Sequence, residues 1–161
     1  KRTLRNMKKI NRKQIRKMSF VFFIIYICVL FYFLFWSELF GRTQGYEEYR
    51  YNLQPFLEIH RFITSSGLSV GDIFINMVGN VLIFAPFGAL IRWIRNKKTS
   101  CFVAVLYTFL FSLIIEVIQL VTRVGVFDVD DLILNTFGGL IGYICYLMIR
   151  KRYNKGGKKN V

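Results

Sequence analysis

With one histidine and three cysteines in 161 residues, the sequence has little to offer metal or disulfide chemistry. His60 stands alone in a loop, with nothing to supply the second and third ligands of a zinc site. Cys28, Cys101 and Cys145 fall within apolar runs or at the end of one, so they are expected as buried thiols, and no disulfide framework follows. Internal repeats, low-complexity linkers and breaks in composition are missing too, which leaves one domain. Negative charge is absent where positive charge is dense. Lys1 to Lys17 holds nine Lys or Arg, Arg92 to Lys98 holds four and the stretch from Arg150 holds six, without one Asp or Glu among them. This basic charge alternates with apolar runs and forms no folded basic domain, so the net charge of +14 does not indicate nucleic acid. An anionic inner leaflet is the expected partner of the basic termini, at about 1 kcal/mol of attraction per nearby Lys or Arg.

What is abundant is hydrocarbon: 54% of residues are hydrophobic and 17% are aromatic, far from a soluble globule. Four runs, Met18 to Ser37, Ile73 to Ile91, Thr99 to Thr122 and Leu132 to Ile149, each approach the roughly 20 residues that cross a bilayer as helix. The basic segments are expected in the cytoplasm. The predicted fold is therefore an all-α membrane protein with four transmembrane helices, N-in and C-in, located in the cytoplasmic membrane. Residues 1–17 form a basic cytoplasmic arm, 18–150 the transmembrane domain and 151–161 a basic cytoplasmic tail. The first run lacks a small-residue cleavage site and exceeds a signal-peptide core, so it is expected to stay attached as a span. After Pro55, Phe56, Ile59 and Ile63 recur at near-helical spacing, which predicts a short interfacial helix on the outer face.

The polar residues inside these runs are few, and they gather at one depth. Asn76 and Asn80 lie one turn apart, about 5 and 10 Å below the outer end of the second run at 1.5 Å per residue. Glu116 and Gln119 share a face in the outer half of the third. Asp128, Asp130 and Asp131 form an acidic mouth before the fourth, where Asp131, Asn135, Gly138 and Gly142 line up in a polar-then-small stripe that should face protein. An acid inside a span costs about 2.5–3.5 kcal/mol at the helix centre, so Glu116 needs partners. Asn76, Asn80 and Asn135 are the expected donors, with Arg123 as counter-ion if the chain bends back.

These eight residues, Asn76, Asn80, Glu116, Gln119, Asp128, Asp130, Asp131 and Asn135, are the predicted ligand pocket, open to the outer face. The competing reading is interhelical hydrogen bonding, with a solvated acidic loop and a glycine packing groove. That groove suits either a dimer or a helix of the same chain.

The order Asn52-Leu53-Gln54-Pro55-Phe56, Asn76-x-x-x-Asn80-x-x-x-Phe84-x-Pro86-x-Gly88, Glu116-x-x-Gln119 and Asp128-x-Asp130-Asp131-x-x-x-Asn135-x-x-Gly138-Gly139 resembles the VanZ family of bacterial membrane proteins. The resemblance runs from about Leu53 to Ile149. The first span fits more loosely, and the arm of residues 1–17 lies outside the family pattern. It implies a multi-pass protein of the cytoplasmic membrane, mostly from Gram-positive bacteria, linked to lower susceptibility to teicoplanin-type glycopeptides. It carries over no catalytic mechanism and names no cofactor.

Three functions compete on the residues. In the first, the amides and acids bind the headgroup of a membrane lipid or a lipid-linked cell-wall component, since an amide both donates and accepts. In the second, the Asp cluster holds Mg²⁺ or Mn²⁺ and presents a lipid-linked phosphate or sugar, with Glu116 as general base. Against it stand the missing nucleophile, the missing basic cluster for phosphate and the lack of further metal ligands, so no metal is assigned. The third, a transporter, has almost no polar residues in the inner halves to build a path.

Overall fold

The computed structural model describes residues 12–35, 47–64, 70–95 and 99–157. These form five helices and two short strands: α1 (Arg12–Phe35), β1 (Tyr51–Asn52), α2 (Leu57–Thr64), α3 (Val70–Arg95), α4 (Cys101–Thr122), β2 (Phe127–Asp128) and α5 (Val129–Gly157). The basic arm predicted at the start of the chain falls mostly outside the described residues, as does the end of the tail. Within the described residues the four apolar runs lie on α1, α3, α4 and α5, apart from Thr99 and Ser100 just before α4, and the predicted helix after Pro55 is α2. The all-α class needs one amendment, because β1 and β2 pair in parallel, Tyr51 with Phe127 and Asn52 with Asp128.

Two helices, α4 and the part of α5 up to Arg152, are long and apolar enough to cross a membrane, while Phe20–Phe35 and Met77–Ile91 are shorter apolar stretches. α4 has defined ends. Ser100 caps its N-terminus by accepting from the Val103 N–H at 3.3 Å. Arg123 closes the other end in the left-handed region, φ 57°, with its N–H turned back to the carbonyls of Gln119 and Leu120. This is the αL termination usually given to glycine.

Burial on α4 is reversed relative to a water-soluble helix. Its inward face is Ala104, Thr108, Ser112, Ile115, Glu116 and Gln119. Phe102, Leu110, Ile114 and Val121 look outward and are exposed. A helix that turns hydroxyls and acids inward and large apolar side chains outward is matched to hydrocarbon surroundings.

The α3–α5 crossing is the tightest in the bundle. A Cβ on Gly142 would run into the Ala85 carbonyl, and one on Gly138 into that of Val81. Only glycine lets these backbones touch, so the small stripe packs within the chain, resolving the choice between dimer and intramolecular groove in favour of α3. α1 seals the other side, where Leu30, Leu34 and Phe35 meet Phe84 and Ile115, and the Tyr26 hydroxyl donates to the Ile83 carbonyl at 2.7 Å. Phe87 and Phe111 stack between α3 and α4, with centroids 4.4 Å apart and planes 7° apart.

The cysteines depart from expectation. Cys28, Cys101 and Cys145 are all exposed on the bundle's outer surface. The reason is that an apolar helix in this fold has an apolar outside, so lying in an apolar run does not imply burial.

Candidate functional site

The site forms where α4 ends and α5 begins. Four residues separate Thr122 from Phe127, and the N-terminus of α5 gathers three carboxylates in its first turn and cap. Unpaired helix N–H groups and the macrodipole favour negative charge at this end, which explains the clustering of the acids locally. Asp128 is the cap: one of its carboxylate oxygens accepts the Asp130 N–H at 2.7 Å. Its own backbone N–H donates to Glu116 Oε2 at 3.1 Å. Glu116, 1% exposed, is thus held by the backbone of the helix start, twelve residues along the chain.

A strap formed by Arg50 to Phe56 closes over this turn. The Phe127 N–H donates to the Arg50 carbonyl at 3.0 Å, and the β1–β2 pairing places Asn52 beside Asp128. The Asn52 amide then reaches both Asp128 carboxylate oxygens at 3.3 Å. Asp130, also 1% exposed, accepts the Phe56 N–H from the strap's far end. Phe56 reaches it with φ at 65°, a strained conformation for a residue with a side chain. Beside the strap the Arg123 guanidinium lies over the Tyr49 ring, 4.7 Å from its centroid, and donates to the Glu47 carbonyl at 3.3 Å.

The predicted site residues therefore separate into groups. Glu116, Asp128 and Asp130 belong to one hydrogen-bonded chain with Asn52 and the strap. Asn80, on α3, donates its amide to Asp131 Oδ1. Asn135 donates to the Ser112 hydroxyl at 2.9 Å, joining α5 to α4. Gln119 turns away from the acids and donates to the Leu34 carbonyl of α1 at 2.8 Å. The side chain of Asn76 lies outside the described residues.

Glu116 gains a donor that the sequence did not suggest, the backbone N–H of Asp128, because the turn after α4 folds the α5 cap over it. Of the expected partners, Asn80 donates to Asp131, Asn135 donates to Ser112, and Arg123 lies over Tyr49 and donates to the Glu47 carbonyl. The acidic mouth is likewise no solvated loop: Asp128 and Asp130 are buried beneath the strap.

Among the described residues, three buried polar atoms have no hydrogen-bond partner: Gln119 Oε1, Asn135 Oδ1 and Thr136 Oγ1. With the carboxylates, they make this end of the bundle rich in acceptors. Among the described residues, no group of three or more His, Cys, Asp or Glu side chains is placed to hold a metal ion. Both Asp128 oxygens and one oxygen each of Asp130 and Asp131 accept N–H donors, from Asn52, Phe56, Asn80 and Asp130.

Sequence reasoning missed Asn52 and Ser112 as members of the site. Ser112 had a signal, since Thr108, Ser112 and Glu116 recur every four residues and so share one helix face. Asn52 had one as well, as the first residue of the Asn52-Leu53-Gln54-Pro55-Phe56 motif.

The chain is 30% identical over 107 residues to Protein VanZ of Enterococcus faecium, a match covering 66% of each chain. It thus spans just under two thirds of that relative's length. No solved structure matches. Residues 23–150, which run from within α1 to within α5, match the VanZ/LLP1 family, and the chain belongs to it.

Proposed function

We propose that the chain is a four-span protein of the cytoplasmic membrane, with both termini in the cytoplasm and the strap on the outer face. Its acidic mouth binds the polar headgroup of a lipid or a lipid-anchored cell-wall component, and this lowers susceptibility to teicoplanin-type glycopeptides. The reversed polarity of α4 and the three acid-free basic segments support the membrane placement.

The observation that carries the ligand reading is the surplus of acceptors. Glu116, Asp128, Asp130 and Asp131 sit at the junction of α4 and α5, and the side-chain oxygens of Gln119 and Asn135, on these same two helices, are buried with no hydrogen-bond partner. Such a site repels bare anions and suits a headgroup that brings N–H or O–H donors, such as a sugar or an amine. A buried acceptor without a donor costs about 1–3 kcal/mol, a cost that a donor-rich ligand would offset.

The test is a susceptible Gram-positive host carrying either the chain or an empty vector. Expression is expected to raise the teicoplanin concentration needed to stop growth, and an unchanged value at confirmed membrane levels would refute the resistance reading.

A further inference from the structure

Between α4 and α5, on the surface turned away from α3, runs an open groove of about 510 Å³, within the size range of small-molecule sites. Val105 and Phe109 form one wall, and Leu132, Thr136, Phe137 and Leu140 the other. Its upper end begins at Val129, between the mouth residues Asp128 and Asp130. The only polar side chain in the lining is Thr136, whose hydroxyl is buried and has no hydrogen-bond partner. Water is a poor filling, because a buried water needs two to four polar partners and one hydroxyl cannot supply them. A second helix is a poor filling too. Close helix docking uses small residues, and on α5 Gly138 and Gly142 are already against α3 while Gly139 is against Thr108 of α4.

We infer that this groove holds an acyl chain of a membrane lipid, which places that lipid's polar end at the acidic mouth. The inference deepens the headgroup reading and rests on it only for what lies above the groove. A flexible hydrocarbon chain follows an irregular aromatic-lined channel without hydrogen-bond demands. Val129 to Leu140 gives it a path of roughly 16 Å at 1.5 Å per residue.

The experiment uses the full chain reconstituted in phosphatidylglycerol–phosphatidylcholine vesicles with a rising mole fraction of phosphatidylcholine bearing a diazirine in its acyl chain. After irradiation, adducts are mapped by peptide mass spectrometry. Adducts on Phe109, Phe137 and Leu140 are expected to saturate, while those on the outward residues Phe102, Leu110 and Ile114 rise in proportion to the probe. Leu140→Trp, which fills the groove, should cut adducts at Phe109 and Phe137 severalfold at parental melting temperature, and Ile114→Trp should leave them unchanged. Proportional, unsaturable labelling at all six positions would overturn the inference, as would groove residues shielded in crosslinked pairs of this chain. In Glu116→Gln the groove adducts are expected to persist. Their loss there would overturn the groove as an independent site, whereas failure of the headgroup reading alone leaves them in place.

Discussion

Asn80 brings its amide from α3 to a carboxylate of α5, and a hydrogen bond to a charged group contributes about 1.5–3 kcal/mol. Removing it takes this donor from Asp131 and unties α3 from α5 here, so Asn80→Ala should lower stability by about 2 kcal/mol, read from denaturant unfolding in detergent. A loss indistinguishable from zero would mean that Asp131 is satisfied without Asn80. Thr136 is expected to behave in the opposite way. Its buried hydroxyl has no partner, so Thr136→Val should be neutral or stabilise by up to about 1 kcal/mol in the same assay. At this scale the sequence was informative about which residues matter and poor on who pairs with whom. Helical spacing shows that Glu116 and Asn135 face inward, but their bonds depend on a backbone N–H of Asp128 and a hydroxyl of Ser112. Neither can be assigned before the turn from Arg123 to Phe127 is known.

The helices themselves were legible because hydrocarbon-length apolar runs and their charged flanks mark them directly, and α2 was legible from Phe56, Ile59 and Ile63. The strap was not. Two residues of β1 paired with two of β2 carry no periodicity, and Phe56 holds an unusual φ that a bulky residue does not advertise. The small stripe on α5 was legible as a packing face, and its partner emerged only when Gly142 met Ala85 and Gly138 met Val81. Because the obstructing atoms are backbone, neither helix can yield locally. Gly142→Ala is therefore expected to destabilise by about 1–3 kcal/mol, seen as a lower melting temperature of the purified protein. Parental melting would show that α3 and α5 can separate without loss.

For the molecule as a whole, the proposed topology, with both termini inside and the strap outside, rests on the basic segments at Lys1 to Lys17, Arg92 to Lys98 and Arg150 onward. Single cysteines at Thr43 and Ser65, in a background lacking the three native thiols, should react with an impermeant thiol reagent in intact cells. Labelling of the tail instead would invert the orientation and put the mouth in the wrong compartment. Since the mouth carboxylates are engaged by N–H donors, adding EDTA, Mg²⁺ or Mn²⁺ should leave the melting temperature unchanged. A large metal-dependent rise would favour the enzyme reading.

The headgroup account depends most on the charge of Glu116. Glu116→Gln keeps an oxygen to accept the Asp128 N–H, so the cap of α5 should survive and expression and melting should stay near parental values. The charge that the account assigns to ligand recognition is removed. Measured side by side, the variant should keep its melting temperature and lose the teicoplanin effect. A Glu116→Gln protein that melts and protects like the parent would contradict the account at its central residue.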